Sequence, residues 1–293
     1  MKSQILSAFL VLVSNTALAA SIEVHGHRGA RAVLPENSMP AFEYALKAGV
    51  DVIELDLGVT KDRHLVILHD PVINPLICRD TTKSKVGSLI RKPIAVFEET
   101  LARVKQFDCG SMKNLRFLKQ KKVPGTLIPT LDEFFTWINA STDPKAKTVR
   151  FNIEMKSEEA TPNLAPPPAE FAKLLVDMLN KHAVLNRTII QSFDHRTLLE
   201  AKKLAPTATL SALIEDRPKK SLVEVTQSAG AQVVSPNHEW LTAKDVEECH
   251  KAGIKVVPWT ANDKKDWKKL VSFGVDGIIS DDPLELIQFL KKP

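Results

Sequence analysis

Three short motifs in this chain carry residues able to do chemistry: His27-Arg28-Gly29, Glu54-Leu55-Asp56 and His69-Asp70. Together they offer imidazoles, a guanidinium and carboxylates, each at or near the end of a strand-like run. That inventory suits metal-assisted cleavage of a phosphate ester. Carboxylates hold a hard cation, the cation and Arg28 neutralise phosphate charge, and His27 and His69 move protons. Glu54 and Asp56 are two apart in a strand, so both point to one face. Two carboxylates forced together repel unless one is protonated or a cation bridges them. Glu154, in Asn152-Ile153-Glu154-Met155-Lys156, is a candidate third ligand. An all-oxygen set selects Ca²⁺ or Mg²⁺ over zinc, with Ca²⁺ slightly ahead. Arg28 and Lys156 are candidate phosphate clamps. His25 shares a strand face with His27 and is its main rival. Each residue also has a bland reading, as a turn histidine, an ordinary ion pair or a solvated charge. Their concentration at strand ends favours the chemical one.

The elements that position these residues alternate. Strand-like runs lie near residues 24, 55, 152, 190, 211, 233, 257 and 278, with a short extra one at Leu65–His69. Helical patterns lie between them, at Ser38–Ala48, Leu131–Asn139, Ala169–His182, His195–Leu204, Ser221–Ala229, Thr242–Ala252 and Lys264–Phe273, with a last one at Leu284–Leu290. Alternation of this kind calls for parallel strands with crossover helices, and eight such units fit a closed (β/α)8 TIM barrel. A doubly wound open sheet is the runner-up, but Gly26-x-x-Gly29 does not satisfy G-x-G-x-x-G. In the barrel, His27, Glu54, Asp56, Glu154, Lys156, Trp259 and Asp281 all fall at or near the carboxyl ends of strands, where such barrels keep their active sites. Residues 71–125 break the rhythm with four prolines and two cysteines, and read as an insertion after the second strand with some helix around Phe97–Val104.

The amino terminus reads as an export signal over residues 1–19. Lys2 gives a positive start, Ile5–Val13 is largely apolar, and Ala17-Leu18-Ala19 fits a cleavage site. The barrel then occupies residues 20–293, and a periplasmic or secreted location is expected. The formal net charge of +5, from 40 basic and 35 acidic residues, is mild and its lysines are scattered. It gives no support to nucleic-acid binding. Lys119–Lys122 is a short basic run that reads as a solvated loop. An exported protein pairs its exposed cysteines. Cys78 and Cys109 bracket one irregular segment and are the expected pair, with Cys249 left as a half-buried thiol.

These motifs resemble the glycerophosphodiester phosphodiesterase family. The family's H-R-G and P-E-N-[ST] match His27-Arg28-Gly29 and Pro35-Glu36-Asn37-Ser38. Its E-x-D, H-D and E-x-K match Glu54-Leu55-Asp56, His69-Asp70 and Glu154-Met155-Lys156. Gln191-Ser192-Phe193-Asp194, Trp259-Thr260 and Gly277–Pro283 also look like its pattern. The resemblance implies a metal-dependent TIM-barrel enzyme that hydrolyses glycerophosphodiesters, the deacylated phospholipid head groups, to sn-glycerol 3-phosphate and an alcohol. It implies an acid/base pair at His27 and His69, metal carboxylates at Glu54, Asp56 and Glu154, and phosphate or substrate contacts at Arg28, Lys156 and Trp259. Cys78-Arg79-Asp80-Thr81-Thr82 departs from the family's simpler L-x-R-T-T, which bears on substrate preference more than on chemistry. Two other readings stand beside this one. A lysophospholipase D or phosphoinositide-type phospholipase on the same barrel would need an apolar surface for acyl chains, and one Tyr and four Trp offer no obvious one. A non-catalytic binding protein would not need the full set of polar residues. The nucleophile, water or the substrate's own hydroxyl, stays open, as does the head group.

Overall fold

A computed structural model describes residues 22–83 and 92–292. The expected signal, residues 1–19, lies outside the described residues, as do residues 84–91 of the expected insertion. In chain order the strands are β1 (Glu23–Gly26), β2 (Val52–Val59), β3 (Leu65–Ile67), β4 (Arg79–Asp80), β5 (Phe107–Asp108), β6 (Arg150–Met155), β7 (Thr188–Ser192), β8 (Thr209–Ile214), β9 (Val233–Pro236), β10 (Lys255–Val256) and β11 (Gly277–Ser280). The helices are α1 (Met39–Ala48), α2 (Leu101–Val104), α3 (Leu131–Ala140), α4 (Pro168–Lys181), α5 (His195–Leu204), α6 (Leu222–Ser228), α7 (Ala243–Lys251), α8 (Lys264–Phe273) and α9 (Pro283–Leu290).

The order β11-β1-β2-β6-β7-β8-β9-β10 forms one parallel wall, and β3 pairs antiparallel with β2. Backbone hydrogen bonds draw the two ends of the wall together: Asp276 N–H to the Val256 carbonyl (2.9 Å), Ile279 N–H to Pro258 (3.0 Å) and Ala261 N–H to Ile279 (3.1 Å). The expected TIM barrel is therefore the observed fold. One expected strand, Lys255–Trp259, is regular only to Val256. Its neighbour in β9, Pro236, lacks the N–H that the next rung of the ladder would give to the Val257 carbonyl, so the ladder breaks there. Pairing resumes beyond it, with Trp259 N–H on the Pro236 carbonyl at 3.0 Å.

Period-two alternation decides what each strand shows the interior. On β6, Phe151 faces out and packs against Phe134 and Phe135 of α3, with ring centroids at 5.5 and 5.2 Å. Its neighbours Asn152 and Glu154 therefore face in. The parallel register sets Asn152 beside Glu54 and Glu154 beside Asp56. Helix starts are capped by side chains: Ser38, Thr130, Ser221, Thr242 and Asp263 each accept from a first-turn N–H. Each cap contributes about 1 kcal/mol. Between β3 and α3 the chain builds a satellite core from Val66, Ile73, Val96, Val104, Phe107 and Ile128. The β4–β5 pair, α2 and a Cys78–Cys109 disulfide belong to it, while Cys249 is buried and free.

Candidate active site

At the carboxyl ends of the barrel strands lies a cavity of about 100 Å³, lined by His27, Arg28, Arg31, Glu54, His69, Glu154, Gln191, Phe193 and Trp259 among others. Two motifs shape its floor. Gly29, with φ +83°, runs so close to α1 that a Cβ would meet the Ala41 backbone at 2.8 Å. Only glycine fits both conditions. Beside it, Arg28 and Asn37 hold left-handed backbone, φ 50° and 52°. Such strain in non-glycine residues concentrates at functional sites. It aims the Arg28 N–H at Glu54 Oε2 (2.7 Å) and the Asn37 amide at Asp56 Oδ2 (2.7 Å).

Glu54, Asp56 and Glu154 meet as the alternation requires. One oxygen from each lies within 4.8 Å of the others, and all three side chains are buried. Their electrostatics are strained. Burial, then the Asp56 charge, raises Glu54 well above the usual carboxylate range. Burial also pushes Glu154 up to about 8, against the pull of Lys156. Asp56 moves the other way: although burial opposes its charge, Arg28, His69 and Lys156 hold it far below its ordinary value. One of its oxygens, Oδ1, is buried without a hydrogen-bond partner. Three crowded carboxylates with an orphaned oxygen fit a hard divalent cation, which would cancel the repulsion and take up that oxygen.

The two histidines stand on the same cavity in different settings. His27 Nδ1–H donates to Asp281 at 2.6 Å, leaving Nε2 free. Burial, then Arg31, pulls its pKa down to about 3, so the ring is neutral at neutral pH. His69 sits at the rim. Its Nδ1–H donates to Asp70 (2.8 Å), and its Nε2 accepts from Lys156 Nζ (3.3 Å). Lys156 also pairs with Glu154 at 3.0 Å. The rival His25 is fully buried in the barrel interior near Asn152 and Glu23, and does not line the cavity. Arg28 is more committed than a free clamp, since its guanidinium pairs with Glu36 (2.6 Å) and approaches Asp56 (3.3 Å). Trp259 donates to the Ser235 carbonyl (2.8 Å) and stands edge-on to Phe193, its indole forming one wall.

Several residues enter the site beyond those expected. Gln191 bridges Asn152 and Glu54 at 2.9 and 3.0 Å, and Glu36 and Asn37 orient Arg28 and Asp56. Their signal was the Pro35–Ser38 and Gln191–Asp194 motifs. Asp281 accepts from His27, Arg31 (2.5 Å) and Asn262 (2.8 Å). Arg31 and Asn262 carry no motif of their own and become visible only in three dimensions.

The sequence profile of the glycerophosphoryl diester phosphodiesterase family matches residues 27–285. The chain belongs to that family. It is 34% identical over 272 residues to a glycerophosphodiester phosphodiesterase of Caldanaerobacter subterraneus subsp. tengcongensis, covering 92% of this chain and 98% of that one. The Bacillus subtilis enzyme of the same name is 29% identical, over 91% of this chain and 85% of its own. A crystal structure from Silicibacter pomeroyi superposes with a TM-score of 0.84 at 29% identity, over 92% and 93% of the two chains. An Oleispira antarctica phosphodiesterase, solved with the product sn-glycerol-3-phosphate, shares the fold with a TM-score of 0.74 at 23% identity, over 92% and 97%. The protein is an enzyme of glycerophosphodiester hydrolysis, and its acidic cluster is the candidate divalent-metal site this family chemistry requires.

Proposed function

We propose that Glu54, Asp56 and Glu154 hold Ca²⁺ or Mg²⁺, and that His27 and His69 exchange protons with a glycerophosphodiester bound between them. The observation that carries this is the meeting of three buried carboxylates, one of them with an orphaned oxygen, beside a cavity walled by two imidazoles. When bound, the cation supplies Lewis-acid charge to a phosphate oxygen. The side chains do the rest. His27, neutral and with Nε2 free, removes the proton from the attacking hydroxyl, which is either water's or the glycerol's own; the latter forms a cyclic phosphate that water then opens to the monoester. Asp281 holds the ring and stabilises the charge it gains. His69 protonates the departing alcohol. Its rim position gives access to solvent, and the Asp70 carboxylate fixes the orientation of the ring through Nδ1–H. Arg28 and Lys156 bring positive charge to the phosphate, and Trp259 packs beside it. Export by the 1–19 segment belongs to the same reading. The Cys78–Cys109 disulfide supports an oxidising compartment, periplasmic or extracellular.

The test is release of sn-glycerol 3-phosphate from glycerophosphocholine in Ca²⁺, in Mg²⁺ and after exhaustive chelation. Metal-dependent release is expected. Equal release after chelation refutes the cation site. Turnover of lysophosphatidylcholine in preference to glycerophosphocholine replaces the substrate assignment with the lipid one.

A further inference from the structure

The hydrolytic site leaves unused a surface beside it. Residues 109–131 contain no acidic side chain, and five basic residues fall between 113 and 122: Lys113, Arg116, Lys119, Lys121 and Lys122. Two successive turns shape this segment. Phe117 N–H bonds the Asn114 carbonyl (3.2 Å), and Gln120 N–H bonds the Phe117 carbonyl (3.1 Å). The corners of those turns are Leu115-Arg116 and Leu118-Lys119, so each presents a leucine followed by a cation. Leu115 is 82% exposed and Leu118 85%, with Leu76 70% exposed in the adjoining loop. Single exposed leucines are ordinary. These three differ because the backbone that presents them is tied down.

Lys113 Nζ donates to the carbonyls of Leu118 (2.9 Å) and Gln120 (2.7 Å). The Gln120 amide donates to the Arg31 carbonyl (2.6 Å), and Lys121 N–H to Val33 (2.9 Å). Phe117 lies under the Arg31 guanidinium at 5.1 Å. The lip is thus fastened to the strand-end loop that carries the catalytic site. Its charge is only partly answered. Lys119 pairs with Glu285 (3.0 Å) and Asp282 (3.6 Å), whereas Arg116, Lys121 and Lys122 form no ion pair among the described residues. Leu76, Leu115 and Arg116 line a groove that runs on to Arg28 and His69.

Separate apolar tips set among unpaired cations suit a surface that is negative outside and greasy just beneath. We infer that this lip docks the enzyme on an anionic phospholipid bilayer, with the mouth of the active site opening beside the lipid. The cations meet lipid phosphates, each strengthening partitioning about fivefold. The leucines enter the headgroup–acyl boundary, as the apolar face of an interfacial segment does. An acidic protein would satisfy the cations but leave the three separated leucines without a shared pocket.

Flotation with phosphatidylcholine vesicles, with and without phosphatidylglycerol, tests this without reference to hydrolysis. The full enzyme is expected to float only with the anionic vesicles, and to release at about 1 M salt, where the screening length falls to about 3 Å. Combined Leu76→Ser, Leu115→Ser and Leu118→Ser should weaken binding about tenfold or more. Combined Arg116→Glu, Lys121→Glu and Lys122→Glu should abolish it. All these positions are exposed, so unchanged thermal melting is expected and verifies the fold. Failure of the wild-type enzyme to bind anionic vesicles overturns the proposal and points to an acidic protein partner instead. Binding indifferent to lipid charge, or undiminished in both variants, also overturns it.

Discussion

Replacing Asp281 by Asn removes one negative charge 2.6 Å from His27 Nδ1 while preserving shape. Asp281 is 2% exposed and does not line the cavity, so substrate binding should change little. Its work is done through the ring. A carboxylate this close favours the protonated imidazole by about 1–3 pK units. At 1.36 kcal/mol per unit this is about 1.4–4 kcal/mol of support for the charge His27 gains as it takes the proton. The expected loss in kcat is therefore about 10–10³-fold, with KM nearly constant. An Asn amide can also donate to Nδ1 and hold the wrong tautomer, which moves the loss toward the upper end. The loss should stay at or below that of His27→Ala, which removes the proton acceptor itself and should cost about 10²–10⁴. Sign separates this from mere structural damage. Removing the negative charge lowers the His27 pKa, so the acid limb assigned to it moves to lower pH, and activity above that limb stays depressed. The assay is steady-state release of sn-glycerol 3-phosphate across pH, with thermal melting in parallel because Arg31 loses its partner. A loss below about threefold, or a rise in KM with unchanged kcat, refutes the positioning role.

Glu54→Gln should raise or leave unchanged the stability of the metal-free enzyme, since it relieves repulsion from Asp56, yet it should shrink the stabilisation by Ca²⁺ or Mg²⁺. At a cation concentration 100 times Kd the wild type gains about 2.7 kcal/mol, and a hundredfold weaker site gains less than about 1. Equal gains in melting experiments would remove Glu54 from the ligand set. His27 makes acid stability a second readout. Its folded pKa, about 3, lies below the unfolded 6.5, so in that window only the unfolded chain takes the proton. Stability should fall with pH through the window by up to about 1.4 kcal/mol per unit, and His27→Gln should flatten that slope in urea melts; an unchanged slope excludes a neutral buried ring. The Cys78–Cys109 bridge spans 31 residues. Cys78→Ser with Cys109→Ser should cost about 3–4 kcal/mol in urea unfolding, and a loss under about 1 kcal/mol would mean the bridge adds little to the satellite core.

Much of this site was legible because period two converts sequence spacing into direction. Glu54 and Asp56 could be placed on one face without coordinates, and the strand count brought Glu154 to the same mouth. The eight strands could be counted because helices with caps and apolar stripes separate them. What could not be read was lateral. Arg31 and Asn262 reach Asp281 through a closure that joins the first and last parts of the chain, and no local pattern announces such a contact. His25 and His27 shared a strand face in sequence, and only depth tells them apart, one ring inside the barrel and one at its mouth. Proline cut a strand that hydropathy continued, because apolar periodicity does not register a missing N–H. The leucines at 76, 115 and 118 carried no signal in sequence, since an irregular segment has no period from which exposure can be read.

The distribution of polar residues explains why the chemistry sits where it does. TIM barrels fill their interior with branched apolar side chains, but here His25, Glu54, Asp56, Asn152, Glu154, Gln191, Ser211 and Ser235 are all buried. Each such group costs free energy unless it is paired. Most are: Asn152 with Gln191, Gln191 with Glu54, Ser211 with Ser235. Among the described residues that surround the barrel interior, Asp56 Oδ1, Arg28 Nε, Asn152 Oδ1 and His25 Nε2 lack hydrogen-bond partners. The unbalanced charge lies with the carboxylates. Stability is supplied outside the barrel wall, by Phe42, Phe134, Phe135, Phe151, Phe171 and Trp267 between strands and helices. An apolar outer layer thus carries a polar inner one that is unstable by itself. Such a site cannot relax toward a cheaper arrangement without breaking the wall, so its strain remains available to a cation and a phosphate, which bring the missing charges.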